Sequence, residues 1–287
     1  YWNSLTKTST PLALWRVVSE LDSSLAATSA VRFALRNQGL SFYVNDSSAV
    51  GDVYTTAVGL PQHTGADAAQ PRDDIQQLLH DYDLEPGDCV YVDTGIYEFN
   101  GTNLTWGRFD AWDHTNDLTT LAAGVPSIVV QGSTNEAAGG TQFRGYQTAR
   151  IVYGDRALGV SFRDLLISQL SVGSGNGLEW YRSHYASALR VRIRDAYRGF
   201  HINDSDDVYL SGCFSVGNAF AGLSSVNSAA TEWQSGVLWS NLYGVEQNDQ
   251  GTDELRVENT LIGAFGAARY GYYARSGRLV SDYNHFQ

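Results

Sequence analysis

The sequence predicts an all-β solenoid, a single-stranded right-handed parallel β-helix, and three observations carry that prediction. Glycines recur at 177, 199, 222 and 244, at intervals of 22, 23 and 22 residues. The later ones sit in a shared phrase of Asp or Asn, a small or apolar residue, an aromatic, Gly and an apolar residue: Asp195 to Phe200, Asn218 to Leu223, Asn241 to Val245. Between the glycines lie short apolar stretches without helical period, such as Phe200 to Ile202 and Val208 to Leu210, parted by Asn, Asp, Ser and Gly. A repeat of short strands at this period is one turn of a solenoid, which buries its apolar side by stacking on its neighbours. Ankyrin repeats are longer and helical, and leucine-rich repeats show a denser Leu frame. Rungs about 4.8 Å apart make seven or eight coils a rod of about 35 Å.

Composition narrows the function. The 287 residues are 43% hydrophobic and only 17% charged, rich in aromatics, which excludes disorder. No apolar run reaches the ~20 residues of a membrane helix. A formal charge of −12 repels phosphate backbones and anionic membranes, so nucleic acid is a poor partner. Methionine is absent, and no signal-peptide pattern follows Tyr1, so the chain reads as part of a longer one with neighbours on both sides. Cys89 and Cys213 lack metal or disulfide spacing and read as small buried hydrophobes.

The elements follow in order. Residues 1–41 read as the tail of a preceding unit or a docking extension, with Val31, Phe33 and Leu35 alternating like a strand. Residues 42–97 supply a strand, a Gly-containing loop and a short helix opened by Pro71. Asp73 and Asp74 lie at its positive end, and Ile75, Leu78, Leu79 and Tyr82 share one face. Such a helix covers the unpaired first rung. Residues 98–287 are the coils.

Residues 42–287 resemble the right-handed parallel β-helix proteins of bacterial secreted and surface chains, the pectate-lyase-like superfamily. The segments that carry the resemblance are Phe42 to Asn45, Gly51 to Gly59, Pro71 to Leu79, Glu85 to Tyr97 and Ser281 to Phe286. It implies an extracellular or cell-surface location and a glycan partner. It does not decide between lyases, hydrolases, epimerases, adhesins and spikes, which share the architecture.

If the residue after each Gly points inward, alternate residues face out. One outward column then holds Ser161, Glu179, His201, Ser224, Glu246 and Tyr273, and a second holds Arg163, Tyr181, Asn203, Val226, Asn248 and Arg275. Tyr181, His201 and Glu179 are the candidate catalytic residues, because β-elimination or C5-epimerisation of a uronate needs a base and an acid. Arg163, Asn203, Glu246 and Asn248 are candidate sugar contacts. His184 and Tyr185 join them if the turn after Tyr181 folds back. Arg190, Arg192 and Arg194 alternate with Val191 and Ile193 and are candidates for the carboxylate or sulfate of an acidic glycan. Ion pairs with acids such as Asp207 and Glu254 are the other reading. Asp204, Asp206 and Asp207 form a candidate calcium cluster, as do Asp110, Asp113 and Asp117 near Trp106 and Trp112. Neither run has calcium-loop spacing, and turn chemistry explains Asp equally well.

Two function classes remain. One is a β-helix module of a large extracellular or surface protein, serving as a rigid spacer or polysaccharide-binding adhesin. The other is a polysaccharide lyase or uronan epimerase acting on an acidic glycan.

Overall fold

The structure is a computed structural model. It describes residues 39–82, 84, 87–107, 128–171, 173–248, 254–263 and 270–287, together with four short strands before residue 39. The chain forms two compact units, Tyr1–Leu40 and Ser41–Gln287. In the first, Leu12–Ala13 pairs antiparallel with Phe33–Ala34, and Arg16–Val18 with Ala26–Thr28.

The second unit is a parallel β-helix of three sheets, each coil giving one strand to each in turn. The first sheet has nine strands and runs from Ser41–Val44 through Val160–Arg163 to Arg278–Asp282. The second has eight, from Gly95–Asn100 through Arg192–Arg194 to His285–Phe286. The third has seven, from Leu104–Gly107 through Asn176–Tyr181 and Arg198–Asn203 to Tyr270–Ser276. Part of the expected lead-in, Ser41–Val44, Cys89–Val92 and the strand from Gly95, therefore already belongs to these sheets. The inward residues of the sheets, among them Phe143, Phe162, Ile193, Trp180, Phe200 and Trp233, form one continuous core.

The recurring glycines have a packing reason. A Cβ on Gly177, Gly199, Gly222 or Gly244 would lie 2.9, 2.7, 2.9 or 2.6 Å from the carbonyl oxygen of the glycine one rung on. No side chain fits a column where backbones approach that closely.

The corners are ladders too. Arg156, Arg182, Asp204 and Asn227 all have φ near +50°. Each donates its N–H to the carbonyl one rung on, at Tyr181, Asn203, Val226 and Asn248. Directly after them, the Ser183 N–H donates to Ser205 Oγ at 2.9 Å and the Ser205 N–H to Ser228 Oγ at 3.1 Å. At the corner before the third sheet, Ala196 N–H donates to Asn218 Oδ1 and Asn218 N–H to Asn241 Oδ1. Corner backbone groups are thus satisfied inside the protein, as burial requires.

The N-terminal end is covered as expected. The helix Ile75–Asp81 buries Ile75, Leu78 and Leu79 and starts one turn after Pro71, because the Asp74 carboxylate caps Gln76 and Gln77 N–H. Gln76 Oε1 accepts from the Thr105 N–H at 2.8 Å, so a side-chain amide satisfies a donor of the third sheet's first strand.

Candidate functional site

The third sheet carries the richest outward face. Its register places Tyr153 beside Glu179, Glu179 beside His201, His201 beside Ser224, Ser224 beside Glu246, and Glu246 beside Tyr273. Two residues along, a second column runs Asp155, Tyr181, Asn203, Val226, Asn248. The expected juxtaposition of Glu179 and Tyr181 with His201 and Asn203 is therefore present. Ser161 and Arg163 are not part of it. They lie on the first sheet, where Arg163 donates to Ser161 Oγ at 3.1 Å, because the strand after Gly159 turns a different side of the coil outward. Arg275 also leaves the second column, since a bulge after Gln247 puts Ser276 opposite Asn248.

A third line of aromatic rings flanks the columns. Tyr197 stacks on Phe220 at 5.1 Å, Phe220 meets Tyr243 edge-on at 5.0 Å, and Tyr243 stacks on Tyr270 at 5.6 Å and Tyr273 at 4.8 Å. The Arg198 guanidinium lies over Tyr197 and Phe220, and that of Arg150 over Tyr153 at 3.9 Å. Tyr197 and Tyr270 keep their edges in solvent.

Beneath these rings the charged groups are paired and nearly buried. Glu179, His201, Ser224 and Glu246 are 7, 8, 0 and 5% exposed. Glu179 Oε2 accepts from Asn176 Nδ2 at 2.7 Å and pairs with Arg150 at 3.3 Å. Glu246 Oε2 accepts from Ser224 Oγ at 2.7 Å and from Arg198 Nε at 3.3 Å. Ser224 gives its single proton to Glu246, so its 3.2 Å contact with His201 Nδ1 is an N–H donation from the ring. The imidazole thereby holds its Nδ1–H tautomer, with the lone pair on Nε2.

Burial, together with Arg198 and Arg150, pushes His201 down to about 3. The folded value lies below the unfolded one, so below pH ~6.5 the unfolded chain binds the extra proton. Stability from this group is therefore complete above pH ~6.5 and lost as pH falls toward 3, by at most about 5 kcal/mol. Urea midpoints measured from pH 7 to pH 4 are expected to fall, and His201→Phe to flatten that fall. An unchanged slope in the variant contradicts the assignment.

The remaining candidates sit elsewhere. Arg192 and Arg194 point outward on the second sheet, but Arg190 lies at the corner before it with φ 53°, because that strand begins only at Arg192, after the buried Val191. Their partners are Asp164 for Arg190, Glu136 for Arg192 and Asp195 for Arg194, in place of the expected Asp207 and Glu254. Asp204 faces Arg182 at 3.9 Å, Asp206 faces His184 at 3.5 Å and accepts from the Ala229 N–H, and Asp207 occupies a left-handed turn position. The corner ladders thus turn the three carboxylates apart. Among the described residues no group of three or more His, Cys, Asp or Glu is placed to hold a metal ion. Asp110, Asp113, Asp117 and Trp112 lie outside the described residues. Cys213 is buried as expected and Cys89 is half-buried.

Sequence reasoning missed Arg150, Tyr153 and Asp155. Asp155 is 4% exposed, and one of its carboxylate oxygens has no hydrogen-bond partner. They escaped because Arg150 and its register partner Asn176 are 26 residues apart, off the 22- to 23-residue step of the later coils.

The chain matches no protein-family model and no curated protein. Among solved structures it is similar to a rhamnogalacturonan lyase, with a TM-score of 0.56 at 12% identity, covering 85% of this chain and 62% of that one. A periplasmic alginate epimerase, AlgG, matches with a TM-score of 0.34 at 12% identity, over 70% of this chain and 71% of that one. At such identity the likeness is one of fold, and the chain spans 62% of the lyase's length. No helix among the described residues is long and apolar enough to cross a membrane. The stacked three-sheet coils make this chain a parallel β-helix, and the match to the lyase is a likeness in that fold.

Proposed function

We propose that the chain is a polysaccharide-binding β-helix module of an extracellular or cell-surface protein, and that the outer face of the third sheet is its glycan platform. One observation carries this reading. Tyr181, Asn203 and Asn248 run in one column beside the rings of Tyr197, Phe220, Tyr243 and Tyr270, while Glu179 is paired with Arg150, Glu246 with Arg198, and His201 is bonded to Ser224. Seven strands span about 29 Å, room for an extended oligosaccharide laid along the axis. Aromatic rings with amide and guanidinium donors are what sugar faces and hydroxyls require. Glu179 and Glu246 each hold an arginine, and His201 is kept neutral, so the groups that would transfer protons already have partners. That arrangement favours a rigid surface over a reaction centre.

A lyase or epimerase is the second reading, favoured by the buried Asp155 in register with Tyr181, which is itself in register with Asn203 one rung further on, on the strand of His201. Incubation with rhamnogalacturonan, pectate and alginate separates the two. The binding reading expects retention of at least one glycan, no rise in unsaturated-uronate absorbance or change in uronate configuration, and at least tenfold weaker binding for Tyr197→Ala. Turnover abolished by both Tyr181→Phe and His201→Ala establishes the enzyme instead. Calcium is tested by repeating the glycan titration with and without chelator, where the binding reading expects no change.

A further inference from the structure

A second site lies away from the third sheet, at the corner where the first sheet passes into the second. Asp164 and Arg190 occupy equivalent left-handed corner positions on adjacent rungs, with φ of 54° and 53°. The Asp164 N–H donates to Leu189 O and the Arg190 N–H to Ser211 O, which fixes the two corners one above the other. Their side chains meet in a two-pronged ion pair, Nε to Oδ1 at 2.6 Å and Nη2 to Oδ2 at 2.7 Å. Gln131 adds a third bond to the same carboxylate at 2.9 Å, and the Asp164 carboxyl lies below the usual range although burial opposes it. This pair is a fixed wall.

Opposite it, the chain leaves the first sheet at Gly132 and makes a 3-10 turn, Glu136–Ala138, ended by Gly139 and Gly140 with φ of 102° and 62°. Between turn and wall is a small open pocket, with Thr134 and Gly139 on one side and Leu166 and Arg192 on the other. Arg192 and Glu136, both lining it, form an ion pair. The two walls differ in firmness. Asp164 is 12% exposed and, although Arg190 is 62% exposed, it is held by two parallel bonds from that guanidinium and a third from Gln131, whereas Arg192 and Glu136 are 48% and 68% exposed and meet only through Nη2 and Oε1; solvated pairs of that kind are weak and readily exchanged. The pocket thus offers a guanidinium held by a replaceable carboxylate, beside an apolar patch from Leu166 and glycine backbone. That combination fits a ring bearing its own carboxylate.

We propose that this pocket binds an acidic sugar residue, whose carboxylate takes Arg192 from Glu136 while the ring rests between Leu166 and the Gly139–Gly140 backbone. Glu136 then acts as an internal competitor, so removing its charge strengthens binding. The inference does not depend on the third-sheet platform. Calorimetric titration of the whole chain with trigalacturonate tests it, with galactotriose as the neutral probe. Binding of trigalacturonate but not galactotriose is expected. Arg192→Gln should weaken it at least tenfold, and Glu136→Gln should tighten it about threefold or more. Both pocket side chains are exposed, and unchanged thermal unfolding of each variant verifies the fold. Absence of binding, equal binding of galactotriose, or weaker or unchanged binding in Glu136→Gln overturns the proposal. Loss in Tyr197→Ala without loss in Arg192→Gln assigns the ligand to the third sheet and overturns it as well.

Discussion

Gly199→Ala is expected to destabilise the solenoid by about 3 kcal/mol or more, one of the largest effects of any single methyl group in the chain. The added carbon would lie 1.9 Å from Ser215 Oγ and 2.7 Å from the Gly222 carbonyl oxygen. Backbone atoms of the next rung cannot move aside without breaking the parallel ladder on both sides. Ser215 is itself committed, since its hydroxyl donates to Gly222 O and accepts from Asn218 Nδ2. The clash therefore reaches the asparagine ladder. Gly212→Asn provides the contrast. Its φ of +61° suits Asn, and the nearest atom to its Cβ would be Arg190 Cγ at 3.4 Å, so its cost stays within about 1 kcal/mol. Urea unfolding of the two variants checks this. Equal losses would show that backbone conformation rather than rung contact dictates the glycine column.

Glu246→Ala is expected to cost about 3 kcal/mol, because it leaves a largely buried guanidinium unpaired. The Arg198 and Glu246 side chains are 22% and 6% exposed, so solvent does little to compensate. The carboxylate also anchors Ser224, and through it the tautomer of His201. Two readouts separate these consequences. Replacing both partners, as Glu246→Leu with Arg198→Met, should restore stability to within about 1 kcal/mol of the parent, since apolar groups leave no buried charge behind. In Glu246→Ala alone, the nitrogen chemical shifts of His201 should lose the Nδ1–H pattern seen in the parent. A single variant with unchanged stability and unchanged imidazole shifts would show that the network is not coupled.

How much of this was legible depended on the regularity of the coil. From Gly177 to Gly244 the rungs repeat every 22 or 23 residues, and there the columns Glu179, His201, Ser224, Glu246 and Tyr181, Asn203, Asn248 were readable residue by residue. Before that point the step lengthens to 26 and the marker glycine is missing, so Arg150, Tyr153 and Asp155 escaped notice. Ser161 and Arg163 were misplaced for a related reason. Glycine before an apolar residue occurs at more than one corner, and Gly159 opens a first-sheet strand rather than a third-sheet one. Arg190 was read into a strand, whereas alternation starts only at Val191 and the corner ladder claims its neighbour. The serine ladder of Ser183, Ser205 and Ser228 looked like ordinary turn chemistry. Its burial follows from stacking between coils, which no single coil reveals.

Charge pairing was the least legible feature. Glu136 is 56 residues from Arg192, and Arg150 lies two coils' worth of sequence before Arg198 although both flank His201. These relations depend on which corners are long, and corner length varies where the apolar pattern does not.

The most direct test of the glycan platform is a crystal structure of the chain with a bound rhamnogalacturonan oligosaccharide. The sugars are expected along the third sheet, parallel to the solenoid axis, with contacts to Tyr181, Asn203, Asn248 and the edges of Tyr197 and Tyr270. Arg150 and Arg198 should stay on Glu179 and Glu246, and the glycosidic bonds should be intact. A third sheet left bare of sugar, or an oligosaccharide found cleaved beside Asp155, Tyr181 and His201, would contradict the account.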